Sequence, residues 1–430
     1  MIDQTPSLAA AEVLPSVGAI IVELKFSKEG KLLADFDADG NPQEGGCIID
    51  YYDLSPYVIQ NDYGEFPTCA DCSPHEQKML AVLKEQSATF GDISRRLNCS
   101  PETVKDLLES LQKKGLKVEL PTDTKRVIWT PDIKKVFEPL DIKLRDALVF
   151  GTTSDVHLGS KFQQLTGLKM VHNYAREIWK AKVMLNAGDN FDGRYVYRGQ
   201  DAEVFAPTFD EQLDLAVRGW PQEPVTIAIG GNHDESFFKA ITTDMARHLK
   251  LEKWPGLTDY ADIMKQFSKR RPEVKYLGEN TVGQYCTEAR AVINAEGGII
   301  QVAGQNGLLC YFLHPRGGVG QFRTYKIQKF IENFLEGLLS AIFANVAGAG
   351  ELPHIYAMGN WHVNAYLRYG GIDIYLLPSL QSQTRYLKEN GLNPSIGSWM
   401  VKTAVDERGH ILKNTVKYLD LIPYTKERDY

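Results

Sequence analysis

Apolar runs of four to six residues, each stopping at a polar cluster, recur five times between residues 147 and 362. Ala147–Phe150 runs into a stretch carrying Asp155 and His157, and Val183–Ala187 runs into Gly188, Asp189 and Asp192. Val225–Ile229 runs into Gly230, Gly231, Asn232, His233 and Asp234. Leu308–Leu313 ends at His314, and the run from His354 to Met358 gives way to Gly359, Asn360 and His362. Short apolar runs bounded by glycine and polar residues predict buried strands. Asp155 and His157 are two apart, so on an extended chain they point to one side. That places a carboxylate and an imidazole at the carboxyl end of a strand, where open α/β sheets bind their ligands. Between these strands the pattern predicts a helix over residues 167–182 with Thr166 as its N-cap, and a mainly helical stretch over 322–350. Residues 372–377 read as a further strand, and 399–405 with 410–419 as a closing hairpin.

The first third has a different pattern. Residues 1 to about 65 carry short apolar runs split by Asp-Gly and Gly-Gly turns, which predicts a small β-rich element (1–66), with a hairpin turn at residues 37–40. Helical periodicity follows over 75–86, 90–97 and 101–114, with Ser100 as N-cap, Pro101 at the first helical position and Gly115 closing the helix. Residues 116–120 and 125–129 read as two strands. Three helices and a two-stranded wing over 73–130 resemble a winged helix-turn-helix domain. From His75 to Arg126 there are ten Lys/Arg against eight Asp/Glu. The presumed recognition helix sets Glu102, Asp106 and Glu109 against Lys105, Lys113 and Lys114. That mixture argues against specific base readout and favours non-specific nucleic-acid contact or a protein-binding role.

Composition narrows the class. Hydrophobic residues are 43% and charged residues 24% of 430, ordinary for globular chains. No basic, apolar leader opens the sequence, and no apolar run is long enough to span a bilayer, so no membrane association and a cytoplasmic location are expected. The formal net charge of −7 supplies no general basic field, so nucleic acid must be met by local patches. Six scattered cysteines do not suggest a disulfide scaffold; Cys69 and Cys72 form the one close pair and are expected to be reduced.

Asp-x-His, Gly-Asp-x-x-Asp, Gly-Asn-His-Asp, a lone His and Gly-x-x-His, in that order over residues 145–422, resemble the calcineurin-like metallophosphoesterase superfamily. The final motif of that family usually reads Gly-His-x-His; here Asn360 stands where the first His is expected. The resemblance implies an α/β fold, an αββα sandwich, preceded here by the winged-helix-like domain and the small β-rich element. It implies a dinuclear centre in which Asp155, His157, Asp189 and His362 hold one divalent ion. Asp189, Asn232, His314 and Asn360 hold the other. Oxygen-rich ligands without thiolate favour Mn²⁺, with Zn²⁺ or Fe as alternatives. Two divalent ions set against two carboxylates and a hydroxide leave the centre about one charge positive, suited to a phosphate. His233 is then the general acid, with Asp234 orienting its ring, and Asp192 supports a ligand histidine.

Arg194, Tyr195, Tyr197 and Arg198 follow the second motif, and Arg316 and Arg323 follow His314. Each could hold a substrate phosphate or stack a base. The leading expectation is a metal-dependent phosphodiesterase acting on DNA, close in style to double-strand-break repair nucleases. Those enzymes carry a capping domain after the last motif; about a dozen residues follow the closing hairpin here, which moves any substrate-guiding part, or a protein partner's contact, to the N-terminal region. The alternatives are a phosphomonoesterase or small-nucleotide phosphodiesterase, and a regulatory module whose metal site is weakened by Asn360.

Overall fold

The computed structural model describes residues 18–26, 33–53, 71–85, 87–121, 126–129, 143–238, 261–278, 287–301, 306–316, 329, 332, 353–369, 371–407 and 409–430. The expected helical stretch over 322–350, Arg323 and Cys69 fall outside them, apart from Lys329 and Glu332. The chain divides into two compact units: residues 57–141, and residues 1–56 together with 142–430. None of the described helices is long and apolar enough to cross a membrane.

Two strands come first, β1 (Gly18–Leu24) and β2 (Cys47–Asp53), paired antiparallel with Gly18 opposite Asp53. The smaller unit follows. It contains α1 (Pro74–Glu85), β3 (Ala88–Thr89), α2 (Phe90–Leu97), α3 (Pro101–Lys113), β4 (Val118–Glu119) and β5 (Arg126–Trp129), with the strands ordered β3-β5-β4. Thr89 and Asp92 form a reciprocal cap on α2, and Asn98 ends it in the left-handed conformation. Ser100 caps α3 with Pro101 behind it, as the sequence suggests. The apolar stripes of the helices meet in a core that includes Met79, Ile93, Val104, Leu111 and Val127, each fully buried. Glu76 is buried beneath the helices and accepts hydrogen bonds from Ser110 and from the Lys114 ammonium at 2.6 Å, tying α1 to the end of α3. Glu102, Lys105, Asp106 and Glu109 are all exposed on α3, so its outer face alternates in sign. Cys72 is disulfide-bonded, contrary to the expectation of reduced loop cysteines.

In the larger unit, strands alternate with helices as far as residue 276: β6 (Arg145–Thr153), α4 (Leu165–Glu177), β7 (Val183–Asn186), α5 (Phe209–Gly219), β8 (Val225–Ala228), α6 (Asp262–Arg270) and β9 (Val274–Tyr276). These four strands are parallel neighbours, the pattern that βαβ crossovers produce. Then come β10 (Glu288–Ile293), β11 (Ile299–Ile300), β12 (Leu308–Leu313), β13 (Ile355–Met358), β14 (Ala365–Tyr369), β15 (Ile372–Leu376), α7 (Arg385–Glu389), β16 (Gly397–Val405) and β17 (Ile411–Asp420). Two sheets result, ordered β1-β2-β17-β16-β6-β7-β8-β9 and β11-β10-β12-β13-β15-β14.

Their inner faces share one core. Phe150, Leu185 and Ile227 from the first sheet pack with Phe312, Ala357 and Tyr375 from the second. Helices α4, α5 and α6 cover the other face of the first sheet through Leu168, Val171, Phe209, Leu213 and Phe267. Central strands β7, β12, β13 and β15 are buried along their whole length, which explains the continuous apolar runs of β12 and β13.

The N-terminal strands depart from the expectation of a separate β-rich element. β2 pairs with β17, Tyr52 opposite Lys413, so β1 and β2 extend the large sheet. Lys417, buried on β17, donates to Asp35 at 2.6 Å, which anchors the hairpin around residues 36–42 as well. Thr166 also departs from expectation. Helix α4 starts two residues earlier than expected and has no side-chain cap from Gln164 at its start. Asp429, 263 residues away in sequence, supplies the cap by accepting from the Thr166 backbone N–H and, at 2.6 Å, from its hydroxyl. Asp429→Ala is expected to cost about 1 kcal/mol, the ordinary weight of a helix cap. A lower urea midpoint at constant slope would register it, and an unchanged midpoint would deny Asp429 that role.

Candidate metal centre

The strand tips converge through strained turns, not along extended chain. β6 ends at Thr153, and Asp155 (φ 51°) and His157 (φ 49°) both adopt the left-handed conformation around fully buried Val156. The expectation that these two share a side because the chain is extended is therefore corrected: consecutive tight turns aim them instead. Asp189 (φ 51°), Asn360 (φ 72°) and His362 (φ 51°) are also left-handed. Non-glycine residues avoid this region, at a cost on the order of 1–3 kcal/mol each. Five of the eight described non-glycine residues with positive φ are thus candidate metal ligands, so the strain is concentrated at one place. Backbone bonds hold the turns: Asp155 N–H donates to Gly188 O at 2.9 Å, His157 N–H to Asp189 O at 3.1 Å, and Asn360 N–H to Asp155 Oδ2 at 3.0 Å. Close approach also demands glycine. A Cβ on Gly231 would lie 2.0 Å from Asp189 Oδ1, and one on Gly359 would lie 2.6 Å from Ala187 O.

The side chains meet in two overlapping groups. Around the first, His362 Nε2 lies 3.3 Å from Asp155 Oδ1 and 3.4 Å from His157 Nε2, while His157 Nε2 is 3.9 Å from Asp189 Oδ2. Around the second, His314 Nε2 lies 3.0 Å from Asp189 Oδ2, and Asp155 belongs to the same cluster. Asp155 and Asp189 both reach into each group, lying 3.9 Å from His157 Nε2 and clustering with His314. Metal–ligand bonds of about 2.1 Å at angles of 90–110° put neighbouring donors about 3.0–3.4 Å apart. His314 Nε2 is buried without a hydrogen-bond partner of good geometry, although Asp189 is adjacent. Buried donors normally find partners. A nitrogen and an oxygen that lie close without aligning on each other fit two ligands aimed at a third body. His314 Nδ1 donates to Ala187 O at 2.7 Å, which fixes Nε2 as the nitrogen that faces the centre.

Electrostatics follow from burial. Desolvation opposes the charged form of every group here, but the carboxylates of Asp189 and Asp155 outweigh it at His314 and raise its pKa to about 9. His157 is equally buried and flanked by His362, and is pushed down to about 4. Burial would raise Asp189, yet His314 and His233 hold it well below the usual carboxylate range. Burial lifts Asp192 and Asp234 to about 7.

His233 and Asn232 line the same cleft as His157, Asp189, Asn360 and His362. His233 Nδ1 donates to the Asp192 carbonyl at 2.6 Å, and its backbone N–H donates to Asp189 Oδ1 at 2.8 Å. The expected pairing of Asp234 with the His233 ring is not what orients it. Asp234 instead accepts from the backbone N–H groups of Gly231 (2.7 Å), Phe191 (2.9 Å) and Asn190 (3.3 Å), and so fixes the two turns against each other. Adjacent residues in a tight turn point apart, which is why the neighbour in sequence is not the neighbour in space. The Asp192 carboxylate lies 3.3 Å from His157 Nδ1. The Asn360 amide nitrogen donates to Pro315 O.

The cleft has a volume of about 350 Å³. Of the expected substrate residues, Arg316 lines it, with Nη2 donating to buried Glu235 at 2.6 Å. Arg194, Tyr195 and Arg198 are not among its lining residues; Arg194 stacks on Tyr195 and donates to Pro207 O. Their loop contributes Val196 and Tyr197 instead. The sequence reading missed Trp361, Gln381 and the segment around Tyr386, whereas Tyr197 belongs to the Arg/Tyr loop it singled out. Trp361 could have been found, since it sits between two candidate ligands. The Thr384 cap that opens α7 was equally readable.

Over 259 residues the chain is 24% identical to the DNA polymerase II small subunit of Methanothermobacter thermautotrophicus, covering 57% of this chain and spanning half the length of that relative. Among solved structures, an archaeal phosphodiesterase is 9% identical with a TM-score of 0.28, over 60% of this chain and 99% of the other. A single-substitution variant of Vps29 from Entamoeba histolytica is 10% identical with a TM-score of 0.25, over 64% and 99%. Residues 77–126 match the model of FeoC-like transcriptional regulators, in agreement with the winged-helix reading. Residues 148–377, more than half of the chain, match the calcineurin-like phosphoesterase model, and the chain belongs to that family.

Proposed function

We propose that the protein is a metal-dependent phosphodiesterase acting on nucleic acid, most specifically a DNA nuclease. One observation carries the reading: Asp155, His157, Asp189, His314 and His362 meet within a few ångströms, with His233 beside them at the floor of an open cleft. Asp155, His157, Asp189 and His362 would hold one ion. Asp189, His314 and Asn232 would hold the other, with Asn360 contributing through Oδ1 because its amide nitrogen is engaged by Pro315. When bound, such a pair activates water and neutralises charge on a phosphoryl group; Mn²⁺ suits the oxygen-rich set.

The chain's own part is to position and protonate. The Nδ1–H of His233 is committed to a carbonyl, so Nε2 is the nitrogen left to serve the departing oxygen, which it protonates when the ring is in its imidazolium form. Arg316, held by Glu235, brings a guanidinium charge to the cleft, where a phosphate would be attracted. DNA as substrate is supported by the likeness to a DNA polymerase subunit and by the winged-helix match. The test is hydrolysis of bis(p-nitrophenyl) phosphate with added Mn²⁺, followed by single- and double-stranded DNA under the same conditions. Turnover of both is expected. A protein that cleaves phosphomonoesters or free nucleotides while leaving every DNA intact would overturn the nuclease reading.

A further inference from the structure

The cleft has two unlike walls. One carries the metal-ligand candidates and His233. The other is aromatic and aliphatic: Tyr197, Tyr386, Leu387 and Leu392. The ring of Tyr197 lies 6.3 Å from that of His233 and 4.9 Å from that of Tyr386, the latter pair inclined by 30°. A nearly parallel aromatic step thus leads outward from the catalytic histidine. Tyr386 is 45% exposed, so its ring still has a face to offer.

This wall is built, not incidental. Glu203 is buried on the loop before α5 and joins its two halves. One carboxylate oxygen accepts from the Tyr197 hydroxyl at 2.7 Å, and the other accepts from the backbone N–H of Arg385, the first residue of α7, at 2.7 Å. Thr384 caps the same helix through Leu387 N–H at 3.2 Å. Tyr386 and Leu387 are therefore fixed relative to Tyr197 by a buried carboxylate whose oxygens are both engaged.

Arg316 is the one cationic side chain among the described lining residues. A cleft of about 350 Å³ is at the small end of ligand pockets, the size for one small organic unit. A flat group with two apolar faces, attached to a phosphate, fits both the wall and the volume. We propose that Tyr386, with Tyr197 behind it and Leu387 and Leu392 at its edge, forms a subsite for the nucleobase of the single nucleotide whose phosphate is presented to His233. Glu203 acts as a positioning residue. The subsite rests on the phosphodiesterase reading, and it directs the enzyme toward one nucleotide unit, as at a strand end, over a long tract.

The test uses the full chain. Binding of thymidine 5′-monophosphate is followed by quenching of tryptophan fluorescence, since Trp361 lines the cleft. Turnover with Mn²⁺ is compared for the p-nitrophenyl ester of thymidine 5′-monophosphate and for ethyl p-nitrophenyl phosphate, which lacks a base. Stacking on one aromatic ring predicts that Tyr386→Ala weakens thymidine monophosphate binding and raises KM for the nucleoside ester by about five- to a hundredfold. The ethyl ester should suffer far less. Tyr386→Phe should restore the loss. Arg176→Ala on α4, whose side chain pairs with Glu177, is the control and should change neither. Equal effects of Tyr386→Ala on both esters, or unaltered nucleotide binding, would remove the subsite. If the wild type turns over neither ester, the phosphodiesterase reading fails, and the fluorescence titration still decides the base subsite by itself.

Discussion

His233→Ala is expected to lower turnover of a phosphodiester by about 10²–10⁴-fold, the usual weight of a positioned proton donor. The metal content should stay that of the wild type, because His233 is hydrogen-bonded through its backbone N–H to Asp189 and through Nδ1 to Asp192 O, and alanine keeps the first of these. The loss should shrink as the leaving group becomes more acidic, since p-nitrophenolate needs little protonation and an alkoxide needs it fully. Turnover of a p-nitrophenyl ester and of a dinucleotide, measured side by side, checks this. An equal loss on both would point to a positioning role in place of proton transfer.

Asp189→Asn is expected to do more. Oδ1 accepts the His233 N–H, and Oδ2 lies 3.0 Å from His314 Nε2 and 3.9 Å from His157 Nε2, so one carboxylate serves both halves of the centre. The amide keeps the shape but removes the charge that two cations would share. Altering the outer partners of metal ligands commonly costs 10–100-fold in affinity or activity, so loss of the shared ligand should exceed about 100-fold. Metal retained after gel filtration should fall with it. An Asp189→Asn protein that keeps its metal and its rate would show that the centre is held elsewhere.

Much of this site could be read from the chain because each ligand follows a buried strand, and a buried parallel strand is a continuous apolar run. Val183–Leu185 and Ile355–Met358 announce themselves in that way, and candidate ligands follow each within a few residues. The turns themselves were less legible. Nothing in the local pattern says that Asp155 and His157 both take positive φ; that follows from backbone bonds to Gly188 and Asp189 on the next strand's loop. The same kind of distance hid the support of His233, which comes from Asp192 and not from its neighbour Asp234. It also hid the aromatic wall, because Tyr197 meets Tyr386 only through Glu203 and a helix nearly 190 residues further on. The two N-terminal strands look like a module of their own until β2 pairs with β17, and Lys417 reads as a surface lysine until Asp35 reaches it. Pairings across several hundred residues leave no periodic trace in either partner.

The central claim is that these strand tips grip two cations through one shared carboxylate. The most direct measurement is a calorimetric titration of the metal-stripped protein with Mn²⁺, repeated on Asp189→Asn. Two equivalents for the wild type, with both sites lost or sharply weakened in the variant, is the predicted result. A wild type that takes up no Mn²⁺, Zn²⁺ or Fe²⁺ at this site, or a variant that binds them as the wild type does, would contradict it.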